Sequence, residues 1–488
     1  MSLFDLPTDP ASIDPGGTPL PSARPDPTLV APPPAAAAEA PSPTPEQVEQ
    51  APQRVGQPFG EPVAAGTVAE PARDYRPGTT IHPPTGAKAR ARANLAAITT
   101  VAALRAEDRA ATPAEQETLV RWSGWGAVPQ IFDTSKEEWA AENAELREVL
   151  SEEKYRSAQK NTLNAHYTDP EIAAAMWQAL HDAGFSGGRV LEPGSGAGTF
   201  IGLAPPEAVM VGVELDPTTA TISSLLYPSA QIRNEGFEQT RVPENSFTAT
   251  IGNVPFGGFA LRDPAHNPAG HNIHNHFILK SVALTAPGGY VATISSHFTM
   301  DAGKQRARRD IAAIADLVGA VRLPTKAFAR VAGTDVVTDI LLFRTREDGQ
   351  PPAAGQDWVD TTTVEVLDEQ AGAYTEHQVN NYFVTHPENV LGEYRSGHGM
   401  HNAATLEVRT TSAEDVLAER VSDRLATITA AAVEAGLGLS AMAETTTTLD
   451  AATFDQGLVT SATLARSAPE GSLRYHADSG RIQRWDGQ

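Results

Sequence analysis

The residues best suited to chemistry lie close together, in one stretch from residue 164 to residue 257. A short apolar run, Arg189–Leu191, is typical of a buried parallel strand, and the sequence Glu192–Gly198 follows it directly. That segment carries glycines at alternating positions, namely Gly194, Gly196 and Gly198. Because glycine has no Cβ, such a segment turns tightly and lets a ligand approach its backbone. The pattern predicts either a ligand-binding turn or a plain tight turn of an α/β protein.

An acid follows this turn at a spacing that favours the ligand-binding alternative. The next predicted strand, Val209–Val213, is followed at once by Glu214, which lies 22 residues after Glu192. In nucleotide-binding βαβ units an acid about 20 residues beyond the turn meets the ribose hydroxyls. The turn and the acid together therefore predict a nucleotide-like ligand.

A third motif, Asn253-Val254-Pro255-Phe256, stands at the carboxyl end of the predicted strand Thr248–Gly252. Taken alone, it is as consistent with a strand-ending turn and a packing phenylalanine as with a functional site. Its position matters, because open α/β sheets bind ligands outside the carboxyl ends of their strands.

The elements that must position these motifs alternate between helix and strand. Asp169 is expected to cap a helix that begins near Pro170, with Thr168 facing the crevice. Later short runs, 230–233, 290–295, 318–322 and 336–343, complete the set of strands. We therefore expect a Rossmann-like α/β fold with a seven-stranded, mostly parallel sheet and one antiparallel edge hairpin.

The chain of 488 residues divides into four predicted parts. Residues 1–80 hold 18 of the 38 prolines and are expected to be a disordered Pro/Ala-rich tail. Residues 85–160 form a helical lead-in, and 161–347 form the catalytic domain. Residues 348–488 are expected to be a small α+β extension with a linker, short strands, an amphipathic helix from Ser412 to Gly436 and a terminal hairpin.

Charge and composition limit the partners. The net charge is −23, so any contact with nucleic acid must use a local basic surface. Basic residues outnumber acidic ones by four between Asp301 and Arg330. The phosphate-contacting candidates are Arg306, Arg308, Arg309 and Lys326, with a solvated helix face as the alternative. No signal peptide or membrane span is recognisable, and a cytoplasmic protein is expected.

These motifs resemble the S-adenosylmethionine site of class I methyltransferases, and N-V-P-F resembles the N-P-P-[YF] motif of enzymes that methylate adenine N6. The run from about Ala91 to Glu347 is similar to the methylase part of large methylase-helicase proteins of plasmids and phages. The similar phrases are WSGWGAVPQIFD, LNAHYTDPEI, IGNVPFG, GTDVVTDILLF and VNNYFVTHPENVLGEY. Two departures are Val254 in place of the first proline and Gly236 in place of an acid that precedes a phenylalanine.

The resemblance implies a site-specific DNA adenine methyltransferase of a mobile element or a restriction-modification system. It assigns base binding and catalysis to Asn253, Pro255 and Phe256, with Phe256 stacking on a base flipped out of the duplex. It assigns the cofactor S-adenosyl-L-methionine to Thr168, Glu192, Pro193, Gly194, Gly196, Gly198, Glu214 and Phe237. A cytosine C5 methyltransferase is excluded within this chain, because that reaction needs a cysteine thiolate and the chain has none.

Two alternatives stay open at this point. A protein N5-glutamine methyltransferase uses the same amine chemistry, and a non-catalytic DNA-binding subunit would work with a separate helicase. The chain contains no P-loop motif and is expected to carry no helicase motor of its own. The resemblance implies a separately encoded helicase as a partner beside DNA. The histidine-rich loop 258–276 lacks the ligand spacing of a zinc motif, and no metal site is expected. We expect that loop to cover the target base instead.

Overall fold

The structure, a computed structural model, describes most of the chain beyond residue 71. The described residues are 72–76, 84, 86–126, 128–160, 168–325, 327–328, 336–353, 357–398, 404–410, 416–440, 473–476 and 481–484. The predicted tail, 1–80, lies almost wholly outside them. The predicted domain boundaries stay predictions.

A seven-stranded sheet forms the centre of the fold, in the order β3-β2-β1-β4-β5-β7-β6. Its strands are β1 (Gly188–Pro193), β2 (Ala208–Glu214), β3 (Gln231–Asn234), β4 (Phe247–Asn253), β5 (Thr285–Ser296), β6 (Ala315–Arg322) and β7 (Thr338–Thr345). All neighbouring pairs are parallel except those of β7, which runs antiparallel to both β5 and β6. The predicted mostly parallel sheet with an antiparallel edge hairpin is confirmed.

The order of the strands creates the crevice. From β1 the chain moves outward to β2 and β3, and then returns to place β4 on the other side of β1. At such a switch the connections leave in opposite directions and open a gap above the carboxyl ends of the strands. Pro193, Glu214 and Asn253 end the three strands that border this gap.

Helices cover the sheet. They are α1 (Ala87–Glu107), α2 (Pro113–Leu119), α3 (Ala140–Val149), α4 (Glu152–Lys160), α5 (Pro170–Asp182), α6 (Thr199–Gly202), α7 (Pro217–Leu226), α8 (Ile273–Leu284), α9 (Phe298–Asp301), α10 (Arg306–Ala312), α11 (Asn381–Thr385) and α12 (Leu417–Glu434). The Asp169 side chain accepts the backbone N–H of Glu171 at 2.9 Å, so the predicted cap of α5 is confirmed. The Asp216 side chain caps α7 in the same way, at 2.8 Å from the Thr219 nitrogen.

The C-terminal part contributes helix α12, which packs on α5 and β6 of the sheet domain. Strands β8 (Thr361–Asp368) and β9 (Ala373–Asn380) pair antiparallel, in agreement with the short strands predicted for this part. A second pair, β10 (Glu393–His398) and β11 (Ala404–Arg409), follows. The terminal hairpin is present as β12 (Leu473–His476) paired with β13 (Arg481–Arg484).

The structure describes the amphipathic helix of this part from Leu417 to Glu434. Helix α12 begins at Leu417, and Ser412 lies outside the described residues. Beyond its end the Tyr290 hydroxyl donates to the Leu437 carbonyl at 2.5 Å, and the Arg344 guanidinium donates to the Gly438 carbonyl at 3.1 Å. None of the helices among the described residues has the length and apolar composition needed to cross a membrane.

Candidate functional site

A cavity of about 260 Å³ opens above the carboxyl ends of β1, β2 and β4. It collects most of the predicted site residues in one place. Those in its wall are Thr168, Glu192, Gly194, Gly196, Glu214, Phe237, Asn253 and Pro255. Pro193, Gly198 and Phe256 are predicted site residues that are not part of the wall.

The amide of Asn253 is held in one orientation at the edge of this cavity. Its Nδ2 donates to the Thr168 hydroxyl at 3.1 Å. Its Oδ1 is buried and has no hydrogen-bond partner among the described residues. Buried acceptors are nearly always paired in folded proteins, and leaving one unpaired costs free energy. An unpaired acceptor beside a cavity therefore indicates a ligand that donates a hydrogen there.

The glycine turn encloses the carboxylate of Glu214. One oxygen accepts the Gly196 N–H at 2.9 Å, and the other accepts the Asp216 N–H at 2.7 Å. Burial raises the pKa of Glu214 to about 7, and the charge of Asp216 contributes to the rise. Each carboxylate oxygen has a further lone pair, so the group can still accept a hydroxyl.

The turn leaves space for a ligand where the sequence predicted it. Gly194, Gly196 and Gly198 all have positive φ values, of 71°, 55° and 89°. A Cβ on Gly196 would meet no atom within 4 Å, since it would project into the cavity. A Cβ on Gly198 would instead lie 2.7 Å from the Tyr227 ring, so Gly198 serves packing beneath the turn.

Glu192 is a second buried acid in the wall. Burial raises the pKa of its carboxyl group well above the ordinary value, and Oε2 has no partner among the described residues. Its other contacts are the backbone N–H groups of Phe200 and Ile201. Like Asn253, this residue has a buried polar atom without a partner among the described residues, and a bound ligand could supply one.

Phe237 forms another part of the cavity wall, and neighbouring side chains hold it in place. Its ring lies 4.8 Å from that of Phe277, between centroids. The Lys280 ammonium group donates to the Phe237 carbonyl at 2.6 Å and forms an ion pair with Asp263 at 2.9 Å. Gly236 also lines the cavity, at the position where the resembling family carries an acid.

Residues 85–160, predicted only as a helical lead-in, also contribute to the wall of the cavity. Trp122, Gly124 and Trp125 line it. The Trp122 indole N–H donates to the Thr219 hydroxyl at 3.1 Å, which ties the segment to the start of α7. Ser123 is held by the side chain of Asn94, which accepts its backbone N–H at 2.8 Å. The compact sequence W-S-G-W-G at residues 122–126 is the feature that could have indicated this contribution.

The predicted phosphate-contacting residues do not share one surface. Arg306 and Arg309 are exposed on α10, but Arg308 is only 1% exposed. The Arg308 guanidinium donates to the Val359 carbonyl at 2.7 Å and to the Thr299 carbonyl at 3.3 Å. These contacts place Arg308 in the interior, so the assignment of Arg308 to a DNA-binding surface is corrected. Lys326 lies outside the described residues.

The histidine-rich loop is held by acids. His271 bonds Asp310 of α10 at 2.7 Å, and His276 bonds Asp263 at 3.1 Å. Within the described part of the chain no three His, Asp or Glu side chains are grouped so that they could hold a metal ion. Burial lowers the pKa of His274 to about 4, so this residue is neutral at physiological pH.

The fold is a Rossmann-like α/β arrangement, and the cavity lies where such open sheets bind ligands. The chain is 31% identical over 208 residues to the "Defense against restriction protein B" of Escherichia phage P1. The match covers 41% of this chain but only 9% of that protein, so the chain spans a small part of the length of this curated relative. No protein-family model matches the chain.

Solved structures are similar to the chain at low identity. A putative class I S-adenosylmethionine-dependent methyltransferase from Listeria monocytogenes has a TM-score of 0.35 and 16% identity, over 54% of this chain and 90% of its own. A type I restriction-modification methyltransferase subunit from Streptococcus thermophilus has a TM-score of 0.34 and 14% identity, over 71% of this chain and 79% of its own.

Proposed function

We propose that the protein is an S-adenosylmethionine-dependent methyltransferase that acts on adenine N6 in DNA. The observation that carries this proposal is the buried Oδ1 of Asn253, which lacks a partner among the described residues and sits beside the glycine turn and Glu214. The geometry calls for a ligand with a hydrogen donor at Asn253 and hydroxyl groups near Glu214. An adenine amine and the ribose of S-adenosylmethionine meet both needs.

Asn253 would act on the target amine by accepting its hydrogens. An exocyclic adenine amine is a weak nucleophile, because its lone pair is delocalised into the ring. Acceptors that bind both amine hydrogens favour a geometry in which the lone pair is free to react. Asn253 Oδ1 supplies one acceptor, and the backbone carbonyl of the Val254-Pro255 segment supplies the other. Gains of this kind are electrostatic and positional, so rigid placement by Thr168 matters.

The residues of the cavity fit the cofactor. The open space at Gly196 admits it, Glu214 would accept its ribose hydroxyls, and Phe237 would pack on its adenine ring. Thr168 and Glu192 provide further polar groups. When bound there, S-adenosylmethionine would supply the methyl group that the amine accepts. We propose the remaining predicted cofactor residues, Pro193, Gly194 and Gly198, as supports of the turn.

The phage relative supports a setting in DNA modification, since its name refers to defence against restriction. We propose DNA as the substrate and a separately encoded helicase as a partner. The basic residues Arg306 and Arg309 support the DNA contact. Base stacking by Phe256 stays a prediction of the resemblance.

The test is methyl transfer from tritium-labelled S-adenosylmethionine to duplex DNA, single-stranded DNA and protein, measured in parallel for the parent and Asn253→Ala. We expect N6-methyladenine in digested DNA from the parent. The variant should be slower by roughly 10²- to 10³-fold, the cost of removing one positioned group at a reaction centre. Its cofactor affinity should match that of the parent, because Asn253 is assigned to the amine.

Equal yields of N6-methyladenine from the two proteins would refute the assignment of Asn253. Label on a glutamine of a protein substrate, with none on DNA, would identify an N5-glutamine methyltransferase. If cofactor binds but nothing is methylated even after a helicase partner is added, the chain is a non-catalytic DNA-binding subunit.

A further inference from the structure

We propose that Phe259 is a platform on which the target base stacks. This inference rests on the proposed function and deepens it by assigning the side chain that captures the substrate. Phe259 is 37% exposed and lines the cavity, whereas Phe256 is 6% exposed and is not part of the wall. An aromatic ring must present a free face to stack on a base, and stacking is tolerant of sequence because every base has such a face.

The ring of Phe259 lies directly against the backbone of the catalytic loop. A Cβ placed on Gly257 would be 2.6 Å from Cε1 of Phe259 and 2.9 Å from Cδ1. Gly257 is two residues from Pro255, which shares the cavity wall with Asn253. The exposed ring of Phe259 and the side chain of Asn253, whose Oδ1 lacks a partner in the described part of the chain, therefore line the same cavity. A base seated between them would have its face on Phe259 and its amine toward Asn253.

The backbone that carries Phe259 is held in place by hydrogen bonds. The Phe259 carbonyl accepts the N–H of Ile273, the first residue of α8, at 2.8 Å. An isolated antiparallel bridge joins the next residue, Ala260, to Asn272. These contacts close the base of the loop 258–272, so its exposed ring is displayed from a fixed support.

The interior of the loop is bonded as well. The Asn267 side chain donates to the carbonyls of Leu261 and His271, at 3.1 and 3.0 Å, and accepts the His271 N–H at 2.7 Å. His271 in turn bonds Asp310 at 2.7 Å, which joins the loop to the basic helix α10. Rigid support of this kind lowers the entropy cost of capturing a base.

A buried ion pair between Lys280 and Asp263 connects the loop that carries Phe259 to the part of the cavity wall that contains Phe237. The Lys280 ammonium group contacts Asp263 within the loop and the carbonyl of Phe237 in the cavity wall. Both charged side chains are fully buried. The Lys280 ammonium group therefore holds both the loop that carries Phe259 and the segment that carries Phe237.

The first test compares Phe259→Ala with Phe256→Ala and with Phe298→Ala. Phe298 is the matched control, since it is 46% exposed but is not part of the cavity wall. Base capture is read from the fluorescence of duplex oligonucleotides in which 2-aminopurine replaces adenine at successive positions. This signal rises when the base leaves the stack and needs no methyl transfer. Cofactor affinity is measured by calorimetry, and the KM for DNA is measured wherever the parent is active.

We expect Phe259→Ala to abolish the fluorescence rise and to weaken DNA use by roughly 5- to 150-fold, the range for loss of one base–aromatic stack. Its cofactor affinity should be that of the parent, and Phe298→Ala should behave as the parent throughout. Phe256 is buried, so Phe256→Ala should lower thermal stability.

A second variant displaces the ring without removing it. Gly257→Ala adds a methyl group where the ring lies, while Gly303→Ala adds one in open space. Neither glycine has a positive φ, so both backbones accept alanine. We expect Gly257→Ala, and not Gly303→Ala, to reduce the 2-aminopurine signal.

Three results would overturn the inference. A normal fluorescence rise in Phe259→Ala would do so, and so would a loss of cofactor affinity in that variant, since its ring would then pack on the cofactor. Loss of base capture in a fully folded Phe256→Ala alone would return the role to Phe256. Failure of the parent to methylate any DNA would count against the proposed function, while the fluorescence comparison would still decide which ring holds the base.

Discussion

At the scale of single residues, the cavity is marked by buried polar atoms that no described residue satisfies. Asn253 Oδ1 and Glu192 Oε2 have no partner among the described residues, although both are buried. In each side chain the other polar atom is hydrogen-bonded, and these bonds explain why the side chain does not rotate to find another partner. Thr168 holds the amide nitrogen of Asn253, and backbone N–H groups hold the carboxylate of Glu192. In each of these groups one polar atom is fixed, and the other is left without a partner in the described part of the chain.

Glu214 should make cofactor binding depend on pH. Burial raises its pKa to about 7, so the group is largely ionised above that pH and protonated below it. The ionised form accepts hydroxyl hydrogens more strongly. We therefore expect affinity for S-adenosylmethionine to increase from about pH 6 to about pH 8. Glu214→Gln should bind more weakly and lose the part of this dependence centred near 7. Calorimetry across the range measures both, and an unchanged profile in the variant would remove Glu214 from the ligand contacts.

At the scale of elements, the turn between β1 and α6 works because its glycines have distinct tasks. All three adopt positive φ, but only Gly196 faces open space, whereas Gly198 lies under the ring of Tyr227. The Gly196 N–H is also committed to Glu214, so the turn and the end of β2 are one unit. A single element thus supplies both the space for the ligand and the support for its acid.

Gly196→Val should abolish cofactor binding because the side chain would enter the cavity. The control is Gly372→Val, at a hairpin turn with φ of 61°, close to the 55° of Gly196, and with no atom within 4 Å of its Cβ. Both variants bear similar backbone strain, so the difference between them isolates the ligand. Calorimetry should show binding to the control and none to Gly196→Val, and equal binding by the two would place the ligand away from the turn.

At the scale of the whole molecule, the proposed contact of this acidic chain with DNA would have to use a small part of its surface. The net charge is −23, which opposes non-specific association with DNA. Helix α10 offers two exposed arginines and is joined through Asp310 to the loop that displays Phe259. Phosphate contacts there would lie beside the loop that handles the base.

Salt dependence separates the arginines of α10. Arg306→Gln and Arg309→Gln should each weaken binding to all DNA sequences and lower the slope of log affinity against log salt by about one. Arg308→Gln should leave the slope unchanged and lower the melting temperature, because Arg308 is buried and bonded to Val359 and Thr299. Slopes from fluorescence anisotropy that are equal in the parent, Arg306→Gln and Arg309→Gln would make this helix a solvated surface.

The sequence by itself determined the sheet and the part of the cavity built from strand ends. Glycine spacing, the acid after β2 and the Asn-x-Pro-Phe motif are local features, and alternating apolar runs fix which segments become strands. A parallel sheet brings the ends of its strands to one edge, so Glu192, Glu214 and Asn253 meet there without further information.

Only the tertiary structure decided which side chains are free to act. Arginine has the same charge at 306 and at 308, but packing against Val359, far along the chain, buries the second one. Phenylalanine is equally apolar at 256 and at 259, yet only the second is exposed and lines the cavity. The wall formed by Trp122 and Trp125 likewise depends on a bond to Thr219, almost a hundred residues away. Burial depends on neighbours that are distant in sequence, so it cannot be predicted from residue type and local spacing.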